Sequence, residues 1–214
     1  MKLIAFDFDG TLSDSEMTVL LGRRKGVAAE MAEITERAMN DEIGYAESLR
    51  RRARLLEGLE EETAEAAYGE VELRPGAADL IGRLNDYGHR TAILTGGFER
   101  GVERALEKEG ASVDAIVSNR LPVAGGRLTG EVEGPLVEGT KDRELERLAD
   151  ELGVRMEHTA AVGDGANDLP MLEVAGLAVG FAPKDAVRPV CDVVVSSMHR
   201  LEAEFEERGL LRAE

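Results

Sequence analysis

The sequence predicts an α/β fold: a doubly wound parallel sheet carrying a small inserted helical cap and a short β-hairpin. Three observations carry this prediction. Short, continuously apolar runs alternate with amphipathic stretches, the pattern of strands covered on both faces and joined by helices. Residues 13–73 interrupt the alternation and contain no convincing strand. Residues 119–134, NRLPVAGGRLTGEVEG, alternate in hydropathy around Gly125–Gly126 and read as a small hairpin.

Taken in order, the strand candidates are LIAFDF (3–8), TAIL (91–94), AIV (115–117), TAAV (159–162), LAVGF (177–181) and DVVV (192–195). The interruption after the first strand holds helical segments near 15–22, 28–40, 45–57 and 60–69. It is too long for one crossover, so it reads as an insertion, with Pro75 marking its end. The expected division is a catalytic core of residues 1–12 and 74–214 and a helical cap of residues 13–73. Ala77, Leu80, Ile81, Leu84 and Tyr87 follow helical spacing, and Gly88 can end that helix. Leu145, Leu148, Ala149 and Leu152 predict another helix over 141–152. There is no internal repeat and no low-complexity linker.

Composition narrows the function. In 214 residues, 43% are hydrophobic but only 4% aromatic, with no Trp, so the core is aliphatic. A net charge of -17 repels polyanions and excludes nucleic acid as a partner. Only five of the 26 basic residues are Lys. Such an acidic, Lys-poor surface fits either a salt-rich cytoplasm or a composition that simply favours solubility. The single Cys191 excludes an internal disulfide framework and fits a reducing compartment. No run of 18 apolar residues exists, and MKLIAFDF is too short before its acids to be a signal peptide. The expectation is a cytoplasmic protein acting on a small molecule.

In a doubly wound sheet, ligands sit beyond the carboxyl ends of the strands. The residues there are Asp7 to Thr11, then Thr95, Gly96 and Gly97, then Gly163 to Asp168, with Lys141 opening a helix near the same rim. Asp7 and Asp9 alternate with Phe6 and Phe8, so a pleat would put both carboxylates on one side. Two close carboxylates stay ionised cheaply only around a cation; otherwise one holds a proton. Mg²⁺ takes a few carboxylates plus waters and phosphate oxygens, and Asp164 can supply a further ligand. Backbone N–H groups at Gly10, Thr11, Gly96 and Gly97 are expected to cradle phosphate at helix N-termini, with Lys141 neutralising a dianion. Each piece has a plainer reading. The DxD could be a buried salt-bridge or capping pair, TGG a turn, GDGAND a calcium loop or Asx-rich turn, and Lys141 a solvated side chain. Their joint occurrence at strand ends and helix starts favours a metal and phosphate site.

Asp7-Phe8-Asp9-Gly10-Thr11, Thr95, Lys141 and Gly163-Asp164-Gly165-Ala166-Asn167-Asp168 resemble, in this order, the four motifs of the haloacid dehalogenase superfamily of phosphotransferases. DSE (14–16), EITERAMNDEIGYAESLRRRARLLEGL (33–59) and TGGF (95–98) are similar to its phosphoserine phosphatase branch. The resemblance implies an Mg²⁺-dependent phosphatase that forms an aspartyl-phosphate and releases serine and phosphate from O-phospho-L-serine. It implies Asp7 as nucleophile and Asp9 as general acid, then base. Mg²⁺ would be held by Asp7, the backbone carbonyl of Asp9, and Asp164. Thr95, Gly96, Lys141 and Asn167 would bind the phosphoryl group, Asp168 would support Lys141 and the metal waters, and Thr11 would support the motif.

Substrate choice is expected in the insertion. Arg52 follows Leu49 by three, precedes Ala53 by one and Leu56 by four, and so lies on an apolar helix face. A lone Arg there could snorkel to water. The resemblance implies instead that Arg52 grips the substrate carboxylate, a task suited to guanidinium. It implies that Glu16 receives the ammonium and that Tyr45, where the family often has Phe, closes over the substrate. Arg50 and Arg51 are expected to be solvated, and Met17 and Met31 to belong to the insertion's core. The chain departs from the branch in Phe8, Gly10 and Thr95, which are the more general superfamily version of the motifs. His89, His158 and His199 belong to no motif and are expected at the surface or at helix ends. Two rivals remain: a phosphatase for another small phosphate, and a signalling receiver phosphorylated on Asp. Glu16 and Arg52 oppose the first, and Asp9 with the long insertion opposes the second.

Overall fold

The computed structural model describes residues 1–39 and 42–212. Its strands are β1 (Leu3–Phe6), β2 (Arg90–Phe98), β3 (Ala115–Asn119), β4 (Val123–Ala124), β5 (Arg127–Leu128), β6 (Thr159–Gly163), β7 (Ala178–Phe181) and β8 (Val193–Val195). Its helices are α1 (Met17–Lys25), α2 (Ala28–Met39), α3 (Tyr45–Leu55), α4 (Glu61–Tyr68), α5 (Ala77–Asp86), α6 (Glu99–Glu109), α7 (Pro135–Glu138), α8 (Lys141–Glu151), α9 (Leu169–Val174) and α10 (Met198–Glu207). Every predicted element has a counterpart. The last residue of the predicted 28–40 helix, residue 40, lies outside the described residues. No described helix is long and apolar enough to cross a membrane.

Six strands form one parallel sheet in the order β3-β2-β1-β6-β7-β8. Period-2 alternation divides the strand side chains between two cores. Ile4, Phe6, Ile93, Val162 and Val179 join one core with Leu80 and Ile81 of α5, Val102 of α6 and Phe205 of α10. Leu3, Ala5, Ala92, Leu94 and Ala161 join the other with Leu145 and Leu148 of α8 and Met171 and Leu172 of α9. Helices therefore cover both faces, which explains why the strands read as unbroken apolar runs.

Two of the differences in strand boundary from the sequence reading matter for chemistry. β1 ends at Phe6, not Phe8. Asp7 N still donates to Val162 O at 2.8 Å, but the chain then turns: Thr11 N and Ser13 N both reach Phe8 O, at 3.1 and 2.9 Å. Gly10 sits in the left-handed region at φ 88, which a glycine enters at no steric cost. Asp7 and Asp9 are thus placed by a turn and not by a pleat. Conversely, TAIL is extended: β2 runs through Thr95-Gly96-Gly97 to Phe98, with a shift of register between Leu94 and Phe98.

Helices α1–α4 occupy the insertion. Met17 and Met31 are buried as expected. Met17 also reaches beyond its own helices, since Phe98 N lies 3.4 Å from its Sδ. Helix α1 meets β2, α3 meets α7 and α4 meets α6. The hairpin β4–β5 turns at Gly125 (φ 58) and Gly126 (φ 74), the backbone a two-residue hairpin turn requires. It docks on the α3–α4 turn through Gly58 N to Leu128 O (2.8 Å), Leu128 N to Leu59 O (2.9 Å) and Glu61 N to Gly126 O (2.9 Å).

His89 lies just past the end of α5, one of the two kinds of place expected for it, but is buried and not at the surface. Its Nδ1 accepts from Lys2 N at 3.1 Å, so the proton sits on Nε2, 2.7 Å from Leu210 O. Burial, helped by the N-terminal amino group and Lys2, lowers its pKa from 6.5, against the pull of the Leu210 carbonyl. The folded protein therefore prefers neutral His89, while the unfolded chain protonates near 6.5. As pH falls below 6.5 the unfolded state binds more protons and this contribution to stability is lost. The free energy of urea unfolding should drop more between pH 7.5 and 5.5 in wild type than in His89→Gln, by no more than about 1.4 kcal/mol; an equal drop in both would show that folding does not change the proton affinity of His89.

Candidate active site

Strand order reverses between β1 and β6: β2 and β3 lie on one side of this pair, β7 and β8 on the other. Crevices form at the carboxyl ends of such a pair. Asp7 follows β1 and Asp164 follows β6, so the two acids face each other across the crevice.

Lys141, the first residue of α8, is only 3% exposed. Its Nζ lies 2.5 Å from Asp7 Oδ1 and 2.5 Å from Asp168 Oδ1. Burial opposes this ammonium, but Asp168 and Asp7 outweigh it and hold the pKa above that of an ordinary lysine. Asp168 is fully buried, and its Oδ2 accepts Asp164 N (2.9 Å) and Gly165 N (3.0 Å). Both of its oxygens are therefore occupied by protein donors, and it serves as a brace between Lys141 and the Asp164 loop.

The oxygens of Asp7, Asp164 and Asp168 lie within 4.8 Å of one another. Burial, then Asp168, push the Asp7 pKa up to about 8 against the pull of Lys141, with Asp164 adding to the rise. Asp164 is raised for the same reasons, burial first and Asp168 second. This is the repulsion a cation relieves. The Gly10 turn closes directly over the third acid: a Cβ there would stand 2.6 Å from Asp164 Oδ1. Hard oxygen donors, excess negative charge and a loop with no room for a side chain fit a divalent metal ion.

Asp9 is different. Its Oδ1 is buried without a hydrogen-bond partner. Burial, Asp7 and Glu16 hold its pKa well above the ordinary carboxylate range, against the Met17 N–H and Lys141. A Cβ on Gly97 would stand 3.0 Å from Asp9 Oδ2 and 3.1 Å from Thr95 Oγ1, so β2 approaches this carboxyl closely. The expected cradle of free N–H groups is largely absent. Gly10 N bonds Ser13 O, Thr11 N bonds Phe8 O, and Gly97 N bonds Thr95 Oγ1 at 3.0 Å. These N–H groups close tight turns and so are spent on the loops themselves. Thr95 is buried, Thr11 is buried with an unpartnered hydroxyl, and Asn167 is exposed at the rim.

From the insertion, α3 brings Tyr45 and Arg52 toward the crevice. The Tyr45 hydroxyl is so close to Gly96 that a Cβ there would overlap it, although 41% of the residue remains exposed. Burial of the phenol raises its pKa, and Lys141 and Arg52 are the nearest opposing charges. Arg52 is half-buried, with Nη1 3.4 Å from Thr18 Oγ1 and Nε 3.4 Å from Ser48 O. Burial lowers its pKa, while Tyr45, Glu16 and Asp9 act against that. Glu16, exposed, sits at the N-cap of α1. Arg50 and Arg51 pair with Glu138 and Glu47 near the surface.

Two rim residues escaped the sequence reading. Asn119, 1% exposed, donates to Gly96 O (3.1 Å) and accepts Leu136 N (3.1 Å), tying the end of β2 to α7. Lys184 follows β7, with Nζ 3.8 Å from Asp164 Oδ2. Applying the strand-end rule to β3 and β7 as well would have pointed to both.

A family model described as haloacid dehalogenase-like hydrolase matches residues 4–173. The phosphoserine phosphatase of Halobacterium salinarum is 51% identical over 210 residues, 98% of this chain and 100% of that one. That of Methanocaldococcus jannaschii is 39% identical over 91% of this chain and 92% of its own. A structure of a phospho-aspartyl intermediate analogue of phosphoserine phosphatase superposes with a TM-score of 0.87 at 37% identity, covering 95% of this chain and 98% of that chain. The chain belongs to the haloacid dehalogenase-like hydrolase family.

Lys141→Met would leave Asp7 and Asp168 buried beside each other without their counter-charge. Breaking such a buried pair costs about 3–5 kcal/mol, so urea unfolding in the presence of a chelator should show a loss of this size. A loss below about 1 kcal/mol would mean that the carboxyls have simply taken up protons.

Proposed function

We propose that this chain is a phosphoserine phosphatase, which hydrolyses O-phospho-L-serine to L-serine and phosphate, the last step of serine biosynthesis, in the cytoplasm. One observation carries the reading: two neighbouring aspartates with different partners, Asp7 ion-paired to Lys141 and Asp9 with a buried Oδ1 that no donor reaches. A carboxylate paired to an ammonium suits a nucleophile, and a neighbouring carboxyl with a free buried oxygen suits a proton carrier. The full-length similarity to phosphoserine phosphatases supports the choice of substrate.

An Asp7 oxygen attacks phosphorus. The bond from phosphorus to the serine oxygen breaks, and Asp9 gives its proton to that oxygen. Water then attacks the aspartyl-phosphate, Asp9 takes its proton, and the Asp7–phosphorus bond breaks. Asp7, the Asp9 backbone carbonyl and Asp164 would hold Mg²⁺, which when bound neutralises charge on the phosphoryl oxygens. Lys141, Thr95, Gly96 and Asn167 orient the phosphoryl group, Asp168 braces Lys141, and Thr11 supports the turn. Phosphoryl transfer asks mainly for such alignment and neutralisation. Residues 13–73 act as a cap on a core of residues 1–12 and 74–214. From the cap, Arg52 takes the substrate carboxylate, Glu16 its ammonium, and Tyr45 closes the mouth.

Phosphate release from L-phosphoserine, D-phosphoserine, phosphothreonine and common phospho-sugars, with and without Mg²⁺, tests the reading; a phospho-sugar turned over faster than L-phosphoserine would replace it. Asp7→Asn should leave the fold intact and abolish turnover, because an amide does not attack phosphorus. More than a few percent of residual kcat, with deamidation excluded, would remove Asp7 from the nucleophile's role. Arg52→Ala or Glu16→Ala strands one charged end of the substrate. Truncating one partner of a buried charge pair costs about 2–5 kcal/mol, so kcat/KM for phosphoserine should fall by roughly one to three orders of magnitude. p-Nitrophenyl phosphate lacks both groups and should be far less affected; equal losses would mean that these residues organise the cap.

A further inference from the structure

We propose that Arg74 is a positioning residue that fixes the Asp9 loop for proton transfer, an inference that rests on the two-aspartate mechanism above. Arg74 immediately precedes the Pro75-Gly76 turn that opens into α5. It donates to three successive carbonyls of the loop that follows Asp9. Its backbone N–H reaches Leu12 O at 2.7 Å, its Nε reaches Thr11 O at 3.0 Å and its Nη2 reaches Gly10 O at 3.3 Å. The same guanidinium lies 5.3 Å from the ring centre of Phe181, the last residue of β7, which is 1% exposed. One planar group thus references the loop to the rigid sheet.

The loop needs such a reference. Its turn at Gly10 leaves the Gly10 and Thr11 carbonyls without partners inside the turn, whose own bonds run from N–H groups to the Phe8 and Ser13 carbonyls. A guanidinium fork satisfies two adjacent acceptors in a fixed geometry and stacks on a ring, whereas an ammonium does neither. Ser13 adds a second clasp, its Oγ donating to Glu72 O at 2.7 Å. Asp9 itself is weakly held: Oδ1 has no partner, and the Met17 N–H is the backbone group that favours its charge. The carboxyl therefore inherits its position from the backbone that Arg74 clamps.

Asp9 acts twice, as acid toward the leaving oxygen and as base toward water, and the two steps separate with a suitable substrate. p-Nitrophenolate leaves without a proton, so only the second step then needs Asp9. Arg74→Met fills the space over Phe181 and removes the side-chain donors. With phosphoserine its kcat should fall about 10–100-fold, part of the usual worth of acid–base catalysis, with KM nearly unchanged. With p-nitrophenyl phosphate it should release a burst of one p-nitrophenolate per enzyme and then turn over slowly, with aspartyl-phosphate trapped on acid quenching. Asp9→Asn should give the same burst, and Arg74→Lys a smaller one with partial recovery of kcat. Loss of kcat on both substrates with no burst, or a raised KM at normal kcat, in a variant whose circular dichroism is native, would overturn the proposal. If Arg74→Met does not fold, Arg74→Lys decides alone by the presence or absence of the burst. If wild type hydrolyses p-nitrophenyl phosphate but not phosphoserine, the substrate reading fails while the burst still decides the role of Arg74.

Discussion

Everything at the crevice is organised around one buried ammonium. Lys141 is held between Asp7 and Asp168 with almost no access to water. A lysine is not buried this deeply without paired, hydrogen-bonded acids. The three groups come from three separate places in the fold: the end of β1, the start of α8 and the turn before α9. Satisfying the lysine therefore fixes how the two halves of the sheet and helix α8 meet. Asp168 extends the constraint by accepting Asp164 N and Gly165 N, which sets the loop after β6.

The same constraint leaves a surplus of negative charge. Asp7, Asp9 and Asp164 all have raised pKa values, with burial as the largest cause in each. One lysine cannot neutralise this group, and that shortfall is the physical reason to place a divalent cation here. The glycines follow from the crowding. Gly10 and Gly97 lie where a Cβ would press on Asp164 and Asp9, so the loops can close on the acids only because those positions carry no side chain.

Residues 13–73 are tied to the rest of the chain at several points rather than by their two connections alone. The hairpin β4–β5 hydrogen-bonds to the α3–α4 turn, α4 faces α6 with Arg100 and Arg104 paired to Glu61 and Glu65, and Arg74 grips the loop through which the chain first leaves the core. The surface pairs among these contribute little individually. The backbone bonds and the buried Met17 carry more, because they exclude water. Helix α3 is thereby held over the crevice with Tyr45 above Gly96 and Arg52 facing Glu16 and Asp9.

Much of this was written in the sequence. Alternating apolar runs and helical periodicity determined a doubly wound sheet, because those periods reflect which faces meet water. The motif residues Asp7, Asp9, Lys141 and Asp164 could be named because each sits where an apolar run stops or a helix starts. What the sequence left undetermined is everything set by distance between remote segments. It placed Asp7 and Asp9 on one pleat, whereas the strand ends at Phe6 and the chain enters a turn between the two acids. It left the Gly10, Thr11, Gly96 and Gly97 N–H groups free, whereas local turns consume those of Gly10, Thr11 and Gly97. It put His89 at the surface or a helix end and did not show its burial, because Lys2 and Leu210 enclose it from both ends of the chain. Arg74 had no motif to mark it. Its partners lie more than sixty residues earlier, at Gly10 and Thr11, and more than a hundred later, at Phe181. Periodicity records only a residue's own burial, so contacts of this kind exist only once tertiary folding has brought their partners together.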